Sequence, residues 1–393
     1  MNRTTTRAAD AREPIHLGRK KKLVFALLVQ LLALAGLELA ARIGSYFYYG
    51  RNPYYLLYGL RSWTDEEGEG HSEKHRGYFK FPADRSITYG SPPMPCRIRN
   101  HGFRGEDFAA EQQPGTLRVI CMGASSTFGY HDEDDETYPY YLERELGRLL
   151  PGRAIEVVNA GIPHFTTDHV LAMLRAELLD YEPDVLTFYE GYNDACHPLA
   201  ESALQALSRW CDEYSAAYAG LRKLATSVAG PVLFSRWSGY LPQMDRAALE
   251  RQLALHVEHT RAQVSAMIAL AAERGIPLVL IRQVMTLWFD RRNRGEIAAD
   301  APRTSYAEEY AALERKLADE GWLDGLEARL YIHAHLLEDM DTLAREHDLV
   351  VVDNVALLAE EPSGLASIVH LHPEANARLA RALAPALVPL LGR

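Results

Sequence analysis

Four short segments of this 393-residue chain carry side chains suited to acyl-transfer chemistry, and they lie far apart in sequence. In the first, Gly123-Ala124-Ser125-Ser126-Thr127-Phe128-Gly129, a serine follows the apolar run Leu117 to Met122 after Gly123 and Ala124. A hydroxyl on a tight turn at a strand end faces the ligand crevice of an α/β domain, and nearby amides there can stabilise an oxyanion. Thr127 stands where a G-x-S-x-G nucleophile elbow has its second glycine, so that motif is not present, and a lone Gly-x-Ser is also an ordinary turn. The second segment is Asn159-Ala160-Gly161-Ile162-Pro163, where Gly161 either offers its N–H to a ligand or simply serves the turn. In the third, Gly191-Tyr192-Asn193-Asp194, the Asn193 amide can donate into the same crevice or close an Asx-turn. The fourth, Ile368-Val369-His370-Leu371-His372-Pro373-Glu374, carries His370, whose unperturbed pKa near neutrality suits a base that takes a serine proton and returns it. His372 is the second candidate for that role.

These segments need a scaffold that brings them together. The apolar runs Leu117–Met122, Ile155–Val158, Val185–Tyr189, Leu278–Ile281 and Leu349–Val352 alternate with helical stretches. Runs so continuous leave no wet face, which predicts a parallel sheet covered by helices on both sides, a three-layer doubly wound α/β domain. In such a domain ligands bind beyond the carboxyl ends of the strands, where all four segments fall. Two stretches exceed the minimal alternation: 197–245, with Trp210 and Trp237, and 285–325, with Trp288, Phe289 and Trp322. Each is either a lid or substrate wall, or a set of extra packing helices.

Taken together, the serine, glycine, asparagine and histidine segments resemble the four blocks of the SGNH hydrolases, also called GDSL esterases and lipases, over roughly residues 100 to 391. The resemblance implies a three-layer α/β/α flavodoxin-like fold with a parallel sheet and no cofactor. It implies Ser125 as nucleophile, His370 as base, and an oxyanion hole formed by the Ser125 N–H, the Gly161 N–H and the Asn193 side chain. Asn100-His101-Gly102-Phe103-Arg104-Gly105 also looks like what precedes the serine block in membrane-anchored relatives. Two positions depart from the family pattern. Gly-Asp-Ser reads Gly123-Ala124-Ser125, which leaves the nucleophile in place. The aspartate expected three residues before the histidine is Ser367, so the ring is held by Ser367, by a backbone carbonyl or by a carboxylate such as Glu361.

The formal charge is −11, although residues 1–22 are strongly basic, so the remainder is more acidic still and does not suit a nucleic-acid-binding domain. From Leu23 to Ala41 the chain is apolar except for Gln30 and Glu38; a helix over that run is roughly 28 Å long, close to the bilayer core. Arg19-Lys20-Lys21-Lys22 precede it, which predicts a cytoplasmic tail (1–22), a membrane signal anchor (23–41), a connector (42–115) and an extracytoplasmic hydrolase domain (116–393). A cleaved signal peptide is the alternative, and it exports the same domain. Tyr46-Phe47-Tyr48-Tyr49, Tyr54 and Tyr55 stand where an interfacial aromatic belt would lie.

The expected activity is ester hydrolysis on an acylated glycan, lipid or small molecule, with transfer to a glycan, or a catalytically weakened binding protein of polysaccharide assembly, as alternatives. The acidic run His131-Asp132-Glu133-Asp134-Asp135-Glu136 lacks the spacing of a calcium loop, and the pairs His256/His259 and His333/His335 lack a zinc motif, so no metal is expected. Cys121 is read as a small buried hydrophobe, and Cys196 with Cys211 as a pair able to bridge in an oxidising compartment.

Overall fold

The computed structural model describes residues 18–48, 78, 80–81, 83–89, 94–199, 211, 215–218, 241–298 and 300–391. Most of the basic tail, Tyr49, Tyr54 and Tyr55, the connector between 49 and 77, and Trp210 and Trp237 with most of the stretch around them lie outside the described residues. The chain divides into two units, one of residues 1–70 with 202–229 and one of 71–201 with 230–393.

In the first unit, helix α1 (Arg19–Tyr48) has 30 residues, about 45 Å at the usual helical rise. It is long and apolar enough to cross a membrane. Its side chains stand open, Leu32 being 72% exposed, which suits a lipid environment and not a soluble core. Near its end Glu38 accepts from Arg42 one turn on, at 2.7 Å. The same carboxylate accepts from Ser215 Oγ at 2.8 Å and from the amides of Ala216 and Ala217 at 2.9 and 3.0 Å. Those amides begin a helical turn at 216–218, so Glu38 supplies from another helix the cap that such a start requires.

The second unit opens with an antiparallel hairpin of β1 (Arg85–Tyr89) and β2 (Met94–Ile98). There follow β3 (Thr116–Gly123), α2 (Ser125–Phe128), α3 (Tyr138–Leu149), β4 (Ala154–Gly161), α4 (Thr167–Ala176) and β5 (Val185–Tyr189). After the stretch that crosses to the first unit come β6 (Met244–Asp245), α5 (Arg246–Glu273), β7 (Leu278–Arg282), α6 (Trp288–Asn293) and α7 (Tyr306–Asp319). The chain ends with β8 (Trp322–Leu323), α8 (Gly325–Glu346), β9 (Val350–Asp353), α9 (Asn354–Ala359) and α10 (Pro373–Leu391). The five apolar runs are β3, β4, β5, β7 and β9, paired in parallel in the order β4-β3-β5-β7-β9. That is the flavodoxin-like order, whose reversal at β3 opens a crevice between the ends of β3 and β5. Helices α3 and α10 pack together on one face, and α4, α5 and α8 on the other.

The helix starts are written locally. Thr137 caps α3 by accepting from the Tyr140 amide, while Ser305 with Glu308 and Asp324 with Glu327 form capping boxes at α7 and α8. The residues before β3 belong to the domain and are not a loose tether. Phe103 and Phe108 are buried in the main core, each burial contributing roughly 1.5–3 kcal/mol. Gly102 turns at φ +75, and a Cβ there would lie 2.3 Å from the Phe81 carbonyl oxygen, so only glycine fits. Asn100 closes the turn by donating to the Phe108 carbonyl at 2.6 Å and accepting from the Phe108 amide. Lower down, fully buried Arg118 of β3 pairs with Glu156 and donates to the carbonyls of Ala109, Ala110 and Tyr181, fastening this segment to the sheet.

Candidate active site

Ser125 is the first residue of α2, a single turn beginning where β3 ends, so its amide N–H has no acceptor within the helix. His370 arrives from the loop between α9 and α10. The Ser125 Oγ and His370 Nε2 atoms are 2.9 Å apart, hydrogen-bond distance for a nucleophile and its base. On the other side of the ring Ser367 Oγ lies 2.5 Å from Nδ1. The loop is turned back on itself by the Ala366 amide donating to the His370 carbonyl at 2.7 Å. Glu361, the carboxylate considered for this place, is instead paired with Arg378 of α10 at the surface. Ser367 therefore occupies the orienting position, with a neutral hydroxyl where a carboxylate was the alternative.

Asn193 stands at the turn after β5. Its Nδ2 donates one hydrogen to the Phe165 carbonyl at 2.8 Å, and an amide carries a second. The Gly161 amide is already used, donating to Asn159 Oδ1 at 3.1 Å. A Cβ on Gly161 would lie 2.3 Å from the Phe128 amide nitrogen, so this glycine lets β4 approach α2 closely. Two of the three expected oxyanion donors thus retain a hydrogen for a ligand, and Gly161 serves packing in this conformation. His372 lines a separate surface hollow with Arg378 and Arg381, while His370 alone meets the serine.

Three residues around the base were not singled out from the sequence for a place in this site. The Tyr130 ring stacks on His370 with centroids 4.8 Å apart and planes 14° from parallel. His131 meets the same ring edge-on at 5.0 Å. His164, after β4, takes a left-handed backbone at φ +66, uncommon for a residue with a Cβ and a mark of functional sites. Burial, with the nearby charges of His131 and His164, lowers the His370 pKa to about 3, so the imidazole is neutral and ready to accept a proton over the physiological range. A sequence signal existed for the first two only in their closeness to Ser125.

Behind the site, Gln283 Nε2 donates to Ser126 Oγ at 3.0 Å, and Ser126 donates to the Val369 carbonyl at 3.2 Å. The stretch after β7 also supports the histidine loop. The Thr286 amide donates to the Ile368 carbonyl at 2.8 Å, Arg303 donates to the carbonyls of Pro362, Ser363 and Leu365, and buried Glu309 accepts from Thr286 and Leu287 at 2.7 Å. The described part of 285–325 is thus a buttress of packing helices.

The four cysteines are free thiols, so Cys196 and Cys211 are not bridged. Cys121 is fully buried, and burial pushes its thiol up to about 12. Buried His256 is spent on the carbonyls of Gln252 and His197, and His333 meets the Tyr306 hydroxyl through Nδ1. Among the described residues there is no cluster able to hold a metal ion.

The region 121–378 matches the family model for the GDSL-like lipase/acylhydrolase family. The chain belongs to that family. It is accordingly a carboxylic ester hydrolase. Among solved structures, this GDSL-like hydrolase is similar to a lipase/acylhydrolase from Enterococcus faecalis at 16% identity and a TM-score of 0.39, over 69% of this chain and 95% of that one. It is also similar to a variant of an acetyl xylan esterase from Geobacillus stearothermophilus at 15% identity and a TM-score of 0.35, over 72% and 97%. No curated protein matches the chain.

Buried acids near the site make the stability of the hydrolase depend on pH. Burial, with the charge of Asp194, pushes Glu190 up to about 8; burial, with a smaller contribution from Asp168, raises Asp194 to about 6, and burial, with a smaller one from Glu136, raises Asp132 to about 7. The folded state then holds protons that the unfolded chain releases from about pH 4 upward, so this contribution is lost as pH rises through 6 to 8. His333 and His370, both lowered to about 3, act the other way, but only below about 6.5, their unfolded value. A thermal unfolding midpoint lower at pH 8.5 than at pH 6.5 is expected by calorimetry; a higher one would show these carboxyls ionised when folded.

Proposed function

We propose that this hydrolase is a membrane-tethered, extracytoplasmic serine esterase that removes O-acyl groups, O-acetyl foremost, from cell-envelope glycans or lipids. The observation that carries the chemistry is the 2.9 Å contact between Ser125 Oγ and His370 Nε2. Oγ attacks the ester carbonyl as Nε2 takes its proton, and the Ser125 N–H and Asn193 Nδ2 hold the oxyanion. Nε2 then gives that proton to the departing alcohol, leaving an acyl-serine. Water attacks next, losing a proton to Nε2, and serine is regenerated with release of the acid. A sugar hydroxyl in place of water makes the same cycle a transfer. The outward orientation rests on Arg19-Lys20-Lys21-Lys22 ahead of the apolar run, and the envelope substrate rests on that location.

The test uses detergent-solubilised full-length protein. A fluorophosphonate probe is expected to label Ser125, and acetate is expected from an O-acetylated envelope polysaccharide. Absence of labelling in folded protein would favour the second reading, a binding protein of weakened activity, which the neutral Ser367 beside Nδ1 supports. Labelling with acyl transfer outrunning hydrolysis would identify a transferase.

A further inference from the structure

The His370 ring is bonded at Nδ1 to Ser367 and at Nε2 to Ser125, but both partners are hydroxyls that rotate, and the terminal torsion of histidine is broad. Its faces and edge are packed by Tyr130 and His131, and of the two only Tyr130 lies flat against it. Tyr130 lies nearly parallel to the imidazole, on the loop that leaves α2 immediately after the nucleophile. That loop is held from beneath by Arg104. Its Nη1 donates to the carbonyls of Phe128 and Gly129 at 3.0 and 2.5 Å, its Nη2 to the Asp132 carbonyl at 2.7 Å, and its Nε to Asp134 Oδ1 at 3.0 Å.

Arg104 is 3% exposed and reaches the loop because its backbone bridges both Ile98 and Asn159. The guanidinium fork matches this set of divergent carbonyls, which a lysine ammonium cannot span. Gly129, at φ +85, leaves room for it: a Cβ there would stand 3.1 Å from Nη1. The far end of the loop is pinned from α10, where Asn376 Nδ2 donates to Asp132 Oδ2 at 2.8 Å and to the Glu136 carbonyl at 3.1 Å.

We propose that Tyr130 is a positioning residue that sets the plane of His370, and that Arg104 acts through it by fixing the loop between α2 and α3. This rests on His370 being the base of the proposed esterase. It gives Arg104 a role in turnover beyond burying a charge, and it explains how a ring without a carboxylate behind it can stay aligned with Ser125.

The experiment uses full-length protein in detergent with Tyr130→Leu, Tyr130→Phe and Arg104→Lys. Two readouts are taken: kcat and KM on p-nitrophenyl acetate, and the His370 ring nitrogen signals in ¹⁵N NMR, assigned by their loss in His370→Gln. Tyr130→Leu is expected to lower kcat about tenfold or more with KM within about twofold, as misplacement of a catalytic group does. Its His370 signals should shift or broaden. Tyr130→Phe, which keeps the stacked ring, should retain kcat within about threefold. Arg104→Lys should resemble Tyr130→Leu, and the double variant should be little worse than either single one. Wild-type kcat and unchanged ring signals in Tyr130→Leu would overturn the proposal, and Tyr130→Leu tests it even where Arg104→Lys does not fold. A wild-type protein without ester turnover would instead overturn the esterase reading, and the ring spectra would still decide the positioning.

Discussion

Replacing Ser125 with alanine is expected to lower kcat/KM for an activated acetyl ester by about 10⁴-fold or more, the scale set by removal of the nucleophile from hydrolases that act through an acyl-serine. The hydroxyl is bonded to His370, so its loss should cost only about 1 kcal/mol of stability and leave the unfolding midpoint nearly unchanged. A stopped assay with matched circular dichroism checks both halves. Turnover at the wild-type rate would remove Ser125 from the reaction, and the dyad geometry would then be incidental.

The second large effect should be a gain. A hydroxyl beside Nδ1 can donate or accept, so Ser367 stabilises both neutral tautomers of His370, and only the one with its proton on Nδ1 leaves Nε2 free to act as base. It also brings no charge to offset the imidazolium formed as Ser125 attacks. An aspartate would select the productive tautomer and stabilise the cation, a combination whose loss elsewhere costs about 10⁴ in rate. The longer side chain must fit a space where the present contact is 2.5 Å, so Ser367→Asp is expected to recover only part of that, about a hundredfold in kcat/KM. The pH profile should change with it. With His370 lowered to about 3 by burial, His131 and His164, the unaltered enzyme should hold kcat/KM nearly constant from about pH 8 to about pH 5. The added carboxylate raises the imidazole pKa, so the variant should lose activity at the acid end sooner. A variant with neither change would mean that the ring does not carry the proton.

Much of this could be read from the chain before any coordinates. Continuous Val, Ile and Leu runs mark strands buried on both faces, and all five emerged as the parallel sheet; a serine and an asparagine just beyond such runs, and a histidine in the loop that precedes the final helix, gather at one edge. What stayed hidden depends on contacts between distant positions. Nothing local indicates that Glu361 would be drawn to Arg378, that Asn159 would claim the Gly161 amide, or that Tyr130 would stack on a ring 240 positions away. The segment ahead of β3 was harder still. Rich in glycine, proline and charge, it read as a connector, whereas Phe103 and Phe108 are core residues and Arg104 is a clamp. Its clamp is a buried cation whose donors meet three backbone carbonyls and the Asp134 carboxylate, a pattern that hydropathy does not register.

The carboxylate of Glu38 gives helix α1 a role that its apolar surface does not account for. Shearing the protein after Tyr48 to obtain a detergent-free form would strip Ser215, Ala216 and Ala217 of the acceptor they share. Water can replace it only if that stretch is wetted. A form of this hydrolase lacking α1 would therefore differ from the full-length chain in the conformation of a stretch far away in sequence, as well as in length.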